Sequence, residues 1–334
     1  MISRWRASVR RAAGVTGACR LAGVLFSLLL LSGCALMQPQ TTALQDSKPQ
    51  QLPERATLDA VPFVPQDDNM CGPAALKMVM AADSVDATLE ELKRQVFLPG
   101  RQGSLQAEML AAPRRHGLVS YQLAPRLEDV LREVAGGTPV IVLQDYGVWP
   151  VSAWHYAVVV GYDFPRHEVL LHTGLKPAMK MPIAVLEYLW KQSDYWAMVA
   201  EPPQRLPVTA NEGAYVDAAA AVERTGDLAT ARVAYGAALE RWPDNLKATV
   251  GLANTLHDLG DLKAAEAVLR PAAERHPDSA ILLNNLALTL SDLDRNVEAL
   301  TTIDRAVAAG GDFSAAVQDT RRHIVERMQA AATR

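Results

Sequence analysis

The chain of 334 residues carries 33 Lys and Arg against 37 Asp and Glu, a formal charge of −4, and 49% of it is hydrophobic. That balance offers no basic face for a polyanion and argues against a nucleic-acid partner. Three cysteines occur, Cys19, Cys34 and Cys71, and each falls in a segment of different character.

Residues 1–20 hold Arg4, Arg6, Arg10, Arg11 and Arg20 and no acidic residue. An apolar run over 21–31 follows and ends on Ser32-Gly33-Cys34. A positive start, a short apolar core and small residues before the cut are the parts of a secretion signal, here residues 1–33. The run is too short to cross a bilayer, which takes about 20 apolar residues. Leu31-Ser32-Gly33-Cys34 resembles the lipobox of bacterial lipoproteins. The resemblance implies a diacylated Cys34 as the mature N-terminus. In that family an Asp after the cysteine favours the inner membrane, so Ala35 points to the outer membrane, facing the periplasm. Loss of the five arginines leaves 28 basic against 37 acidic residues, a formal charge of −9. The lipidated stretch 34–60 is rich in Gln, Pro and Thr and has no apolar period. It reads as a flexible tether with a root-mean-square reach of about 28 Å.

Residues 61–200 mix helix and strand signals over a length sufficient for one hydrophobic core. Residues 61–66 read as extended and 67–70 as a loop. The stretch 72–82 reads as a helix, with Pro73 tolerated in its first turn. Cys71 therefore sits at a helix N-terminus, where the macrodipole favours thiolate. With the signal removed and Cys34 acylated, it is the sole free thiol, whereas secreted proteins normally pair their cysteines. Helices are predicted over 89–97 and 105–115, the second with Ser104 as N-cap. Strands are predicted over 118–123 and 139–145, separated by a helix near 127–134. The β-rich run 154–162, a turn at 163–166 and a returning strand over 167–173 form a hairpin that carries His155. A helix over 183–191 and an extended stretch over 195–200 complete this part.

Gln66, the helix start Cys71-Gly72-Pro73-Ala74-Ala75-Leu76 and the strand His155-Tyr156-Ala157-Val158-Val159-Val160-Gly161-Tyr162 resemble motifs of papain-like cysteine peptidases. The nearest likeness is to the bacteriocin-processing family, which cleaves leader peptides after a double glycine. It covers roughly residues 61–200. The resemblance implies an α+β fold, with a helical half holding the Cys against an antiparallel sheet holding the His. It implies Cys71 as nucleophile and His155 as the base that takes its proton and later protonates the leaving amine. It implies the Gln66 side-chain amide and the Cys71 N–H as oxyanion donors. Papain-like sites usually orient the histidine with Asp or Asn. Asp163 stands eight residues beyond His155, about 26 Å along an extended strand, and is out of reach. A turn centred on Phe164-Pro165 sets His155 opposite Thr173 or Gly174, with His172 a diagonal neighbour. Thr173 or His172 then takes the orienting position. No pair of histidines has metal-ligand spacing with a third ligand nearby, so no metal or cofactor is predicted.

Residues 201–211, opening Glu201-Pro202-Pro203, read as a proline-rich linker. Beyond it, 212–334 is alanine-rich and repeats with a period of 34: Ala219, Ala253 and Ala287, then Gly226 and Gly260, then Ala231, Ala265 and Ala299, then Pro243 and Pro277. This resembles the tetratricopeptide repeat, in which small residues let two antiparallel helices pack closely. In the third unit Asp294 replaces the turn glycine and Gly311 the terminal proline, and a charged amphipathic segment near 312–330 caps the stack. The whole predicts a membrane-anchored cysteine peptidase acting on peptide or protein substrates, with a repeat groove that recruits substrate or a protein partner. Two other functions fit the same residues. One is a degenerate peptidase fold serving as an adaptor. The other is a thiol acyltransferase, in which an amine replaces water.

Overall fold

The computed structural model describes residues 38–66, 69–148, 150–311 and 313–332. The expected secretion signal and Cys34 lie outside the described residues. Helix α1 (Pro39–Asp46) and strand β1 (Arg55–Thr57) come first. Helices α2 (Cys71–Ala82) and α3 (Leu89–Val96), a two-rung ladder of β2 (Phe97–Leu98) with β3 (Gly103–Ser104), and helix α4 (Gln106–Arg114) follow. Then come β4 (Val119–Gln122), α5 (Leu127–Ala135), β5 (Val140–Asp145), β6 (Trp154–Asp163), β7 (Glu168–Thr173), β8 (Lys176–Pro182), α6 (Ile183–Lys191) and β9 (Ala197–Glu201).

Seven strands form one sheet in the order β4-β9-β5-β6-β7-β8, with β1 pairing the far end of β6. Every pairing is antiparallel. Residues 140–143 of β5 and 156–160 of β6 are apolar without interruption because both faces are covered there. Tyr156, Val158 and Val160 of β6 face the core under α2–α4, while Ala157 and Val159 face the core under α5 and α6. Helix α2 buries Leu76, Met78, Val79 and Met80 almost completely against the sheet. At about 1.5–3 kcal/mol each, that burial fixes the helix that carries Cys71.

Two local expectations are corrected, and one strand is added. Ser104 does not cap α4; the N-cap is Leu105, without a side-chain cap bond, because Ser104 is held in the β2–β3 ladder. The segment 176–182 is an edge strand whose two prolines and two lysines suit an edge. Residues 38–60 are not a free tether. The buried carboxylate of Glu187 on α6 accepts from the N–H groups of Gln40 and Thr41, at 3.0 and 2.6 Å, at the start of α1. Gln40 also accepts from the Leu127 N–H and donates to the Pro125 carbonyl, and Leu44 and Leu52 are buried in the core.

The proline-rich segment is pinned as well. Glu133, fully buried on α5, accepts from the N–H groups of Val208 and Thr209 at 3.2 and 2.8 Å and from the Thr209 hydroxyl. Glu201 accepts from the Thr138 hydroxyl and from Arg205, which also pairs with Asp83. Seven helices follow: α7 (Glu212–Glu223), α8 (Leu228–Arg241), α9 (Leu246–Asp258), α10 (Leu262–Arg275), α11 (Ala280–Asp292), α12 (Asn296–Ala309) and α13 (Ser314–Ala332). Asn211, Asp227, Asn245 and Asp261 cap the first four by accepting the N–H three residues on. Gly226 and Gly260 take φ of +85° and +79° in the turns, and Asp294 takes +61° at the same place with its carboxylate held by Arg327. One apolar core runs from Val119 and Tyr121 of β4 through Tyr215, Val216 and Ala219 of α7 to Ala234 and Tyr235 of α8.

Candidate active site

Cys71 is the first residue of α2 and carries a free thiol, partly buried. The backbone N–H groups of Tyr156, Gly72 and Cys71 itself lean on the sulfur and favour its ionisation. Burial acts the other way and wins, pushing the Cys71 thiol above its ordinary value. Burial also pushes the His155 imidazole below its ordinary value. Both shifts lean toward the uncharged forms. The helix end favours a thiolate, and the desolvation that accompanies packing of α2 on the sheet opposes it.

His155 stands near the start of β6, opposite Gln144 of β5. Its Nε2 lies 2.8 Å from the Thr173 hydroxyl oxygen at the end of β7. The β6–β7 turn is longer than the sequence suggested, pairing Asp163 with Glu168, and a bulge at Val160–Gly161 takes back one residue. Val158 then pairs His172, so Ala157 falls opposite Thr173 and His155 is its diagonal neighbour on the same face. The Tyr146 ring meets the imidazole edge-on at 5.8 Å and limits its rotation. With Nε2–H donating to Thr173, Nδ1 keeps a lone pair available as a base.

His172 is not available as the orienting group. Its Nδ1 accepts from the Ala178 N–H at 3.0 Å, which leaves Nε2–H to donate to the Val61 carbonyl at 3.1 Å. Its ring is packed edge-on against Phe63. It ties the segment ahead of Cys71 to the β7–β8 hairpin.

Gln66 is buried and doubly bound to Gly174. Its N–H donates to the Gly174 carbonyl at 2.9 Å, and its Oε1 accepts from the Gly174 N–H at 3.0 Å. That fixes the amide with its NH2 toward the Tyr156 carbonyl, a long contact of 3.5 Å. One N–H is left for another acceptor. Gln66, Cys71, His155 and Thr173 all line one groove of about 1580 Å³. Among the described residues, no group of three metal-ligating side chains comes together.

The Peptidase_C39 like family matches residues 58–192, and the Tetratricopeptide repeat family matches residues 212–283. The chain carries a C39-like peptidase domain followed by tetratricopeptide repeats. Among solved structures, a putative C39-like peptidase from Bacillus anthracis is 17% identical, covers 44% of this chain and 98% of its own, and has a TM-score of 0.38. A double glycine motif protease from an AMS/PCAT transporter in complex with the leader peptide is 20% identical, covers 44% and 94%, and has a TM-score of 0.34. The TPR2B domain of yeast Sti1 in a pHsp70 complex is 18% identical, covers 33% and 91%, and has a TM-score of 0.31. No curated protein sequence matches the chain.

Two residues beside His155, one of them in the groove wall, escaped sequence reasoning. Asp145 ends β5 and accepts from the N–H groups of Gly147 and Ala153, at 2.8 and 2.7 Å, which closes the loop ahead of His155. These bonds hold its carboxyl below the usual carboxylate range. Tyr146 next to it donates to Gln144 at 3.1 Å while its ring faces His155. The Asp-Tyr-Gly run marks a turn, yet nothing in the sequence assigns its tyrosine to the imidazole.

Proposed function

We propose that the chain is a lipid-anchored cysteine peptidase that hydrolyses peptide bonds at Cys71, with Cys34 as the acylated residue and the outer membrane as its site. The observation that carries the reading is the meeting of Cys71, His155, Thr173 and Gln66 in one groove. The groove exceeds the roughly 300–1,000 Å³ of a small-molecule pocket and suits an extended peptide.

In the reaction, His155 Nδ1 takes the Cys71 proton as the sulfur attacks the peptide carbonyl carbon. The electron pair moves to the carbonyl oxygen, where the Cys71 N–H and the free Gln66 N–H donate to it. Collapse expels the amine, which leaves with the proton from His155, and a thioester remains. A water molecule, deprotonated by the same nitrogen, then attacks the thioester and releases the acid and the thiol. Thr173 holds Nε2–H throughout. It supplies a hydroxyl dipole and no charge, so imidazolium gains less than from a carboxylate.

A digest of a peptide library read by mass spectrometry tests the proposal. Wild type yields new termini and Cys71→Ala yields none. Equal silence from both supports the adaptor reading instead, a reading favoured by the uncharged partner of His155.

A further inference from the structure

Resting on the lipid anchor proposed at Cys34, we infer that the outer stripe of α6, Val185, Tyr188 and Lys191, is a membrane-contacting face. It would hold the groove beside the bilayer, on substrates that emerge from lipid. Folding of α1 decides how much chain is left as a leash. Only three residues lie between Cys34 and Gln38, where the described chain begins, so the acylated residue lies within about 14 Å of the fold. A tether ending at residue 60 would have allowed the domain to tumble at twice that distance.

The leash emerges against α6, because Glu187 takes the first N–H groups of α1. Within one helical turn of Glu187, Val185 and Tyr188 are 42% and 51% exposed, and Lys191 is exposed one turn beyond. An aliphatic, a tyrosine and a lysine in sequence along one stripe match the layers of a bilayer surface: acyl boundary, interfacial zone and lipid phosphate. Past its C-terminus, the same helix supplies Gln192, Ser193 and Asp194 to the groove wall. Glu187 to Gln192 is about 7.5 Å of helix rise, so with the leash and the step from Gln38 to the Glu187 contact the groove edge lies within roughly 30 Å of the anchor. The substrate class is a peptide segment within that distance of the lipid surface.

The mature lipidated chain with Cys71→Ala and a nitroxide on Val185→Cys, placed in phosphatidylethanolamine–phosphatidylglycerol vesicles, tests this by collision with a water-soluble nickel chelate. Collision at 185 is expected to fall on vesicles relative to the unlipidated chain in solution. A label on Arg322→Cys of α13 is expected to show no change. A Gly/Ser insertion of about 20 residues after Ala35 is expected to restore collision at 185. In the chain with Cys71 intact, it should slow cleavage of a peptide anchored near the lipid while soluble peptide is cut as before. Equal collision at 185 and 322 on vesicles overturns the inference. A mature chain without acyl groups overturns it together with the anchor. If no form cuts soluble peptide, the peptidase reading alone fails, and the labels still decide the membrane face.

Discussion

Thr173→Val removes one atom's function with almost no change of shape. The residue is buried at the end of β7, where a β-branched side chain is at home, so the fold is expected to persist. The imidazole loses the 2.8 Å contact of Nε2. Leaving that half-buried N–H unpaired costs about 1–2 kcal/mol. The cost falls on the tautomer that presents a free Nδ1 lone pair, and kcat/KM is expected to drop about 5- to 30-fold. Thr173→Asp works in the other direction on charge. A carboxylate at that place favours imidazolium, and the His155 pKa, below its ordinary value in the native chain, should rise by about 1–3 units. The assay is kcat/KM against pH on a cleaved peptide, with the imidazole proton resonance followed by NMR. The acid limb moves up by the same shift in Thr173→Asp and stays in Thr173→Val. A Thr173→Val rate within twofold of wild type, or an Asp variant with an unmoved acid limb, refutes the assignment of Thr173 as the group that holds the imidazole.

Other outcomes follow from the same geometry. Because burial raises the Cys71 thiol and lowers His155, alkylation of Cys71 by iodoacetamide should climb with pH through and beyond 9.0. A plateau extending into acid would mean a resting ion pair. Glu187→Ala strands the buried N–H groups at the start of α1. It should lower stability by about 1–3 kcal/mol and speed hydrogen exchange over residues 39–46; unchanged exchange there would show that the carboxylate does not hold the helix. Gly251→Ala places a methyl 2.4 Å from the Tyr235 ring, between the close-packed helices α8 and α9. It is expected to cost about 1–3 kcal/mol in denaturant unfolding.

The elements that were legible are those whose signal is local. Strand β6 showed itself through its β-branched run, α2 through Pro73 in its first turn, and the repeats through alanines and glycines in one register. The parts that were not legible depend on distant partners. Helix α1 is polar along most of its length, and its place is set by Glu187, far along the chain. The segment after Glu201 has the composition of a hinge, but Glu133 fastens it from another helix. The bulge at Val160–Gly161 moved the strand register and decided between Thr173 and His172. The helix terminus at Cys71 is visible in sequence, while the burial that opposes its effect on the thiol appears only on folding.

The apolar core shared by β4, α7 and α8 makes the boundary between the two sequence families a poor place to cut. A chain ending at residue 211 would leave Val119 and Tyr121 without the helix that shields them, and should aggregate instead of yielding a smaller soluble domain. From α10 onward the repeats pack into a separate core, joined by Ala253 of α9. The first repeat thus serves as a keystone of the C39-like domain as well as the start of the array.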